Sequence, residues 1–163
     1  MNTGQSLFSV GALLLLSLSI LRVNNSILTT DTIMQDSKLG VLGISLATSL
    51  IEEANRKAFD ASSAEDAVDN LGDLTPPNSL GPGFGETPDL FNDFDDYNGY
   101  TKLDTINTID YKLNCTVNYV TPADVDGISS LATWHKNITV LVSSSFMNDT
   151  LSFSSVYSYW HFR

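Results

Sequence analysis

The sequence predicts an α+β chain: one long N-terminal helix, apolar in its first half, packed by its second half on a small antiparallel β-sheet. Three observations carry this. GQSLFSVGALLLLSLSILRV, from Gly4 to Val23, holds no charge until Arg22. Apolar residues then recur at helical spacing with no proline before Pro76. Beyond Asp104 the pattern changes to the two-residue alternation of strands.

The helix comes first. Leu7, Phe8, Val10, Leu13, Leu14, Leu16, Leu18 and Ile20 make its opening part nearly all apolar, with Ser9 among them. From Gln5 to Val23, with Arg22 snorkelling, the run is about 19 residues, close to a ~30 Å hydrocarbon core at ~1.5 Å per residue. A cleaved secretory signal is the rival reading, with Ser17-Leu18-Ser19 as its cleavage site, but the run lacks a basic n-region. The second half carries a leucine stripe, Leu39, Leu42, Leu46 and Leu50, expected to cover the sheet. Beside it runs a small-residue stripe that includes Gly40, Gly43, Ala47 and Ala54. Asn24-Asn25-Ser26 is the expected place for a kink. The helix is expected to end near Phe59-Asp60, with Arg56 and Lys57 complementing its C-terminal dipole. Its length would be roughly 80 Å, against a radius of gyration of ~13 Å for a globule of about 100 residues. The apolar half is therefore expected to project from the fold, where it needs lipid or copies of itself.

A loop region follows. Ser62 or Ser63 is expected to cap a short helical turn, and TPPNSLGPGFGETPD reads as irregular chain. FNDFDDYNGY, residues 91 to 100, mixes acids with aromatics and reads as a solvated acidic loop.

Three strands complete the fold. Tyr111, Leu113, Cys115, Val117 and Tyr119 share one face of the first. Ile138, Val140 and Val142 mark the second, and Leu151, Phe153, Tyr157 and Tyr159 the third, with a hairpin turn at Asn148-Asp149. The expected layout is a leader over 1–4, a membrane-spanning or filament-core half-helix over 5–23, an amphipathic half-helix over 24–60, an acidic Pro/Gly-rich loop region over 61–104, and a β-sheet head over 105–163.

Composition narrows the function. The chain has 163 residues and a formal net charge of −11, which argues against binding nucleic acid or an anionic membrane surface. Between Ala58 and Thr101 every charged residue is acidic. Cys115 is the single cysteine, so no intramolecular disulfide forms.

Helix, loop and sheet in this order resemble the type IV pilin and pseudopilin superfamily. Gly4-Gln5-Ser6-Leu7-Phe8 is similar to the prepilin cleavage motif, which implies a cut after Gly4 by a prepilin peptidase and a methylated Gln5. SLATSLIEEANRKAFD at 45 to 60 resembles the end of the first helix of minor pilins. FNDFDDYNGY and KNITVLV, at 136 to 142, resemble an acidic segment and the following strand in minor pilins of the mannose-sensitive hemagglutinin type. Family members carry glutamate as the fifth mature residue, where this chain has Ser9. Serine supplies no charge to a neighbour's amine, which suits a minor or tip-like subunit, or a divergent assembly.

The candidate sites are few. Asp93, Asp95 and Asp96, with Asn98, offer oxygen ligands for calcium, a metal the resemblance also implies, though the spacing is not that of an EF-hand. Asp124 and Asp126 read as a turn. His135, placed in a loop, and His161 lack partners at zinc spacing. Cys115 reads as a buried small hydrophobe. Tyr157, Tyr159 and Trp160 are weighed as an adhesive patch against sheet packing. No motif with a catalytic mechanism is present, so no enzyme is expected and no cofactor beyond the calcium candidate.

The expectation is a structural subunit of a type IV pilus-like filament or pseudopilus. It would sit in the inner membrane as a single-pass protein, then move into an extracellular filament or periplasmic pseudopilus. Its partners would be copies of itself or other pilins. The alternative is a permanently anchored protein with an exported ligand- or partner-binding domain.

Overall fold

A computed structural model describes residues 3–162, without the side chains of 161 and 162. Met1 and Asn2 of the expected leader, and the side chain of His161, lie outside the described residues. The chain divides into two compact units, Met1–Leu39 and Gly40–Arg163. One helix, α1 (Thr3–Asn55), fills the described part of the first unit and opens the second.

α1 runs unbroken through Asn24-Asn25-Ser26, where a kink was expected. The hydroxyls of Thr29 and Thr30 turn onto the helix itself and donate to the carbonyls of Asn25 and Ser26, each at 2.9 Å. Polar residues here are thus absorbed by the helix's own backbone. The helix also ends earlier than expected, at Asn55 rather than Phe59. Ala58 is drawn into a parallel bridge with Asp93, its N–H donating to the Asn92 carbonyl while Phe94 N–H donates to its own carbonyl. Lys57 reaches away from the helix end, its ammonium 2.6 Å from the carbonyl of Phe91.

The second unit holds four strands, β1 (Thr101–Ile106), β2 (Ile109–Tyr119), β3 (His135–Ser144) and β4 (Leu151–Ser158). They form an antiparallel meander in chain order. The expected three are present, though Tyr159 falls in a 3-10 turn just after β4, and β1 is an addition that begins within the stretch assigned to the loop and runs two residues beyond it. It pairs with β2 through a two-residue turn, Asn107-Thr108, at φ 51° and 68°. Such left-handed pairs match the twist of a hairpin. His135 opens β3 and is not in a loop.

Within this unit the helix lies close on the sheet. Gly43, Ala47, Leu50 and Ala54 are its buried residues, while Leu42 and Leu46 are half-buried. Leu39, the last residue of the first unit, is buried too. Gly43, Ala47 and Ala54, with Leu50, therefore form the centre of the seam, and Leu42 and Leu46 flank it. A Cβ at Gly43 would stand 3.2 Å from Leu151 Cδ1 and 3.5 Å from Val142 Cγ1, so glycine is what lets the backbone approach.

Between helix and sheet, residues 56–100 carry short 3-10 turns, not open loop. The first, Ala61–Ser63, is capped by Asp60 rather than by a serine: Asp60 accepts from Ser62 N–H at 3.1 Å, and Ser63 Oγ accepts from Asp60 N–H at 2.9 Å. The segment then folds inward, with Val68, Leu74, Phe91, Phe94 and Tyr97 buried in the core.

Candidate functional site

Two regions hold the chemistry of this chain. One is the apolar surface of α1. Leu7, Phe8, Val10, Leu13, Leu14, Leu16, Leu18 and Ile20 are all exposed, from 56% at Leu16 to 85% at Phe8. By length and composition α1 is apolar enough to cross a membrane. A contiguous apolar surface of this size is costly in water.

Two hydroxyls along it are satisfied locally. Ser9 Oγ donates to the Gln5 carbonyl at 2.9 Å, and Ser17 Oγ to the Leu13 carbonyl at 2.8 Å. Ser9 is thus a neutral residue whose donor is used within its own helix. It asks for no partner in a low-dielectric setting, whereas a carboxylate would. Gly4 and Gln5 lie exposed in the first turn of α1.

The second region is buried and was misread in the sequence. Lys136, Asp60, Asp93, Asp95 and Asp96 are all buried, Lys136 and Asp60 completely. β3 places Lys136 on its inward face, in register with Tyr119 of β2 and Tyr157 of β4. Its ammonium donates to Asp95 Oδ1 at 2.6 Å, to Asp60 Oδ2 at 2.8 Å and to the Phe59 carbonyl at 2.8 Å. The nitrogen also lies 4.6 Å from the Phe59 ring centroid and 5.1 Å from that of Tyr119. All three donors of the ammonium are used.

Asp60 is the hub on the other side. Besides Lys136, its carboxylate accepts from Ser62 N–H, from Thr75 N–H and Oγ1, and from Tyr119 Oη. Burial alone would raise its carboxyl, but the Lys136 charge and these donors outweigh burial and hold it below the ordinary range. The one hydroxyl hydrogen of Tyr119 is shared between Asp60 Oδ2 at 3.2 Å and the Thr75 carbonyl at 2.8 Å. The knot ties the helix exit, the Pro/Gly-rich segment, the acidic segment and two strands together.

The acidic segment is therefore not a solvated loop. Asp93 Oδ1 accepts from the N–H groups of Asp95 and Asp96, and Asp96 Oδ2 from those of Asn92 and Asp93. Asp93 is pushed up to about 8, by burial first and then by the charge of Asp95, to which its side chain is hydrogen-bonded. Asp96 is raised by burial, against its two backbone donors. Asn98, the fourth calcium candidate, donates to the Leu80 carbonyl and accepts from Val117 N–H. Among the described residues no group of three or more His, Cys, Asp or Glu is placed to hold a metal ion.

The remaining candidates are dispersed. Asp124 Oδ1 accepts from Gly127 N–H at 2.8 Å, which makes that segment a turn. His135 Nδ1 lies 2.6 Å from Ser158 Oγ across the β3–β4 pair. Cys115 is buried on the inner face of β2, its thiol pushed up to about 12 by burial and by Glu53. Tyr157 and Tyr159 are buried, and only Trp160 of the aromatic trio is exposed. Tyr159 Oη accepts from Val68 N–H at 2.7 Å, so these rings pack the core.

Comparison with family models, with curated proteins and with solved structures finds no match. The long N-terminal helix, packed over its later turns on an antiparallel sheet, is compatible with a pilin-like fold.

Proposed function

We infer that the chain is a pilin-like structural subunit, held in the inner membrane by the first part of α1 and then assembled into a filament through that same surface. One observation carries the reading: a single helix is bare and apolar from Leu7 to Ile20 and later forms a close seam with an antiparallel sheet. A bare surface of this kind is stable in lipid, or against equivalent helices once lipid is left behind. The internal bonding of Ser9 and Ser17 supports it, because it spends two hydroxyl donors of this surface within the helix itself. The buried, hydrogen-bonded acids of residues 91–100 serve the rigidity of the exported part.

Shearing whole cells and blotting the released fraction tests this. The reading expects intact protein in sheared filaments, and a Leu14→Arg variant that reaches the membrane but is missing from that fraction. Protein that stays wholly in the membrane fraction would instead favour a permanently anchored binding protein.

A further inference from the structure

We propose that Lys136 and Asp95 are joined by an intramolecular isopeptide bond, formed within the folded chain with Asp93 as the proton-transfer group. Lys136 Nζ stands 2.6 Å from Asp95 Oδ1, its shortest polar contact, and both side chains are buried, that of Lys136 completely. The rings of Phe59 and Tyr119 close over the nitrogen. Here amide formation is favoured on two counts. It removes two opposite charges from a medium where each is costly, and it releases a water from a place that water does not enter to reverse the step.

The step balances without an oxidant or a second substrate. The Lys136 nitrogen bonds to Cγ of Asp95 and one Cγ–O bond breaks. The ammonium gives up two protons, and both leave with the departing oxygen as water. Asp93 supplies the relay: its carboxyl is hydrogen-bonded to Asp95 and stays largely protonated near neutral pH, as burial and the Asp95 charge dictate. It hands its proton to the departing oxygen and is restored by the amine. Backbone N–H groups of Asp95 and Asp96 hold Asp93 in place.

Asp60 is the competing acceptor, 2.8 Å from the same nitrogen. Its carboxylate oxygens are taken up by donors from Ser62, Thr75 and Tyr119, and it lacks what Asp95 has, a protonated acid hydrogen-bonded to it to release the departing oxygen as water. Those donors also keep Asp60 satisfied after Lys136 becomes an amide. The bond would link β3 to the acidic segment across a 41-residue separation, independently of whether the chain assembles.

Full-length protein, purified in detergent and held overnight at physiological temperature, is measured by intact mass spectrometry and then by peptide mapping. The proposal expects a chain lighter by one water, and a branched peptide joining Lys136 to Asp95 that survives hydroxylamine. A Lys136→Arg variant keeps the charge and shows the full mass. Asp93→Asn slows formation by tenfold or more. A wild-type chain at full mass overturns the proposal. So does water loss that maps to Asp60, or to a hydroxylamine-sensitive succinimide at Asp126-Gly127. A bond that forms as fast in Asp93→Asn as in wild type removes the role given to Asp93.

Discussion

Replacing Lys136 by methionine tests the buried knot most severely. The substitution keeps the unbranched apolar stem but removes the nitrogen that contacts Asp95, Asp60 and the Phe59 carbonyl. Truncating one partner of a buried ion pair costs about 3–5 kcal/mol, because the surviving charge stays buried. Two carboxylates lose their cation here, which pushes toward the upper end. Asp60 keeps its bonds from Ser62, Thr75 and Tyr119, which pulls back. Asp95 keeps only another acid, Asp93, beside it. We expect a loss of about 4 kcal/mol, a large share of the roughly 5–15 kcal/mol that holds a domain together. With a urea slope of about 2 kcal/mol/M, the midpoint falls by about 2 M. These figures, and those for Asp93 below, are for chain at full mass, in which Lys136 and Asp95 are still an ion pair. Acid should narrow the gap. The folded pKa of Asp60 is depressed, so its contribution is present above the unfolded value of about 4 and fades as pH falls through the folded one. Urea melts of the full chain in detergent, followed by tryptophan fluorescence at neutral and acid pH, give the comparison. A midpoint shift under about 0.5 M at neutral pH would refute the burial of this pair.

Asp93 has the opposite sign. Its folded pKa is raised, so folding binds a proton, and the group's contribution falls as pH climbs from about 4 to about 8. Asp93→Asn should flatten that part of the stability profile, read from urea midpoints across the range, and an unchanged slope would contradict it. Cys115, buried with its thiol raised to about 12, should alkylate at least about a thousand-fold more slowly than a free thiol near pH 8.5 and normally once unfolded, as mass spectrometry can time. Gly43→Leu should lower stability by about 1–3 kcal/mol in urea melts, since its first atom already meets Leu151 at 3.2 Å, and a neutral result would deny the close seam.

Much of the fold was legible because apolar period reports directly on burial. The inward residues of β2, from Tyr111 to Tyr119, are those the alternation marks. β1 escaped because its pattern carries no core: Leu103 is 74% exposed, and the half-buried positions hold Lys102, Asp104 and Ile106. The leucine stripe was legible but its rank was not. Hydrophobicity picks out Leu42 and Leu46, whereas the closest approach of a helix to a sheet selects Gly43 and Ala47. The knot was harder, because acids in a Pro/Gly-rich region look solvated until a buried cation is known. One signal was present. Lys136 shares the inward period of Ile138, Val140 and Val142, and a lysine on that face must find acids to bury with it.

The mature N-terminus, read by mass spectrometry on protein from whole cells and from sheared filaments, shows whether the apolar helix is kept for assembly. A filament subunit begins at a methylated Gln5 in both fractions, with its apolar helix intact from Leu7 to Ile20. A chain that begins at Ile20 has discarded the surface on which assembly rests and would contradict that reading.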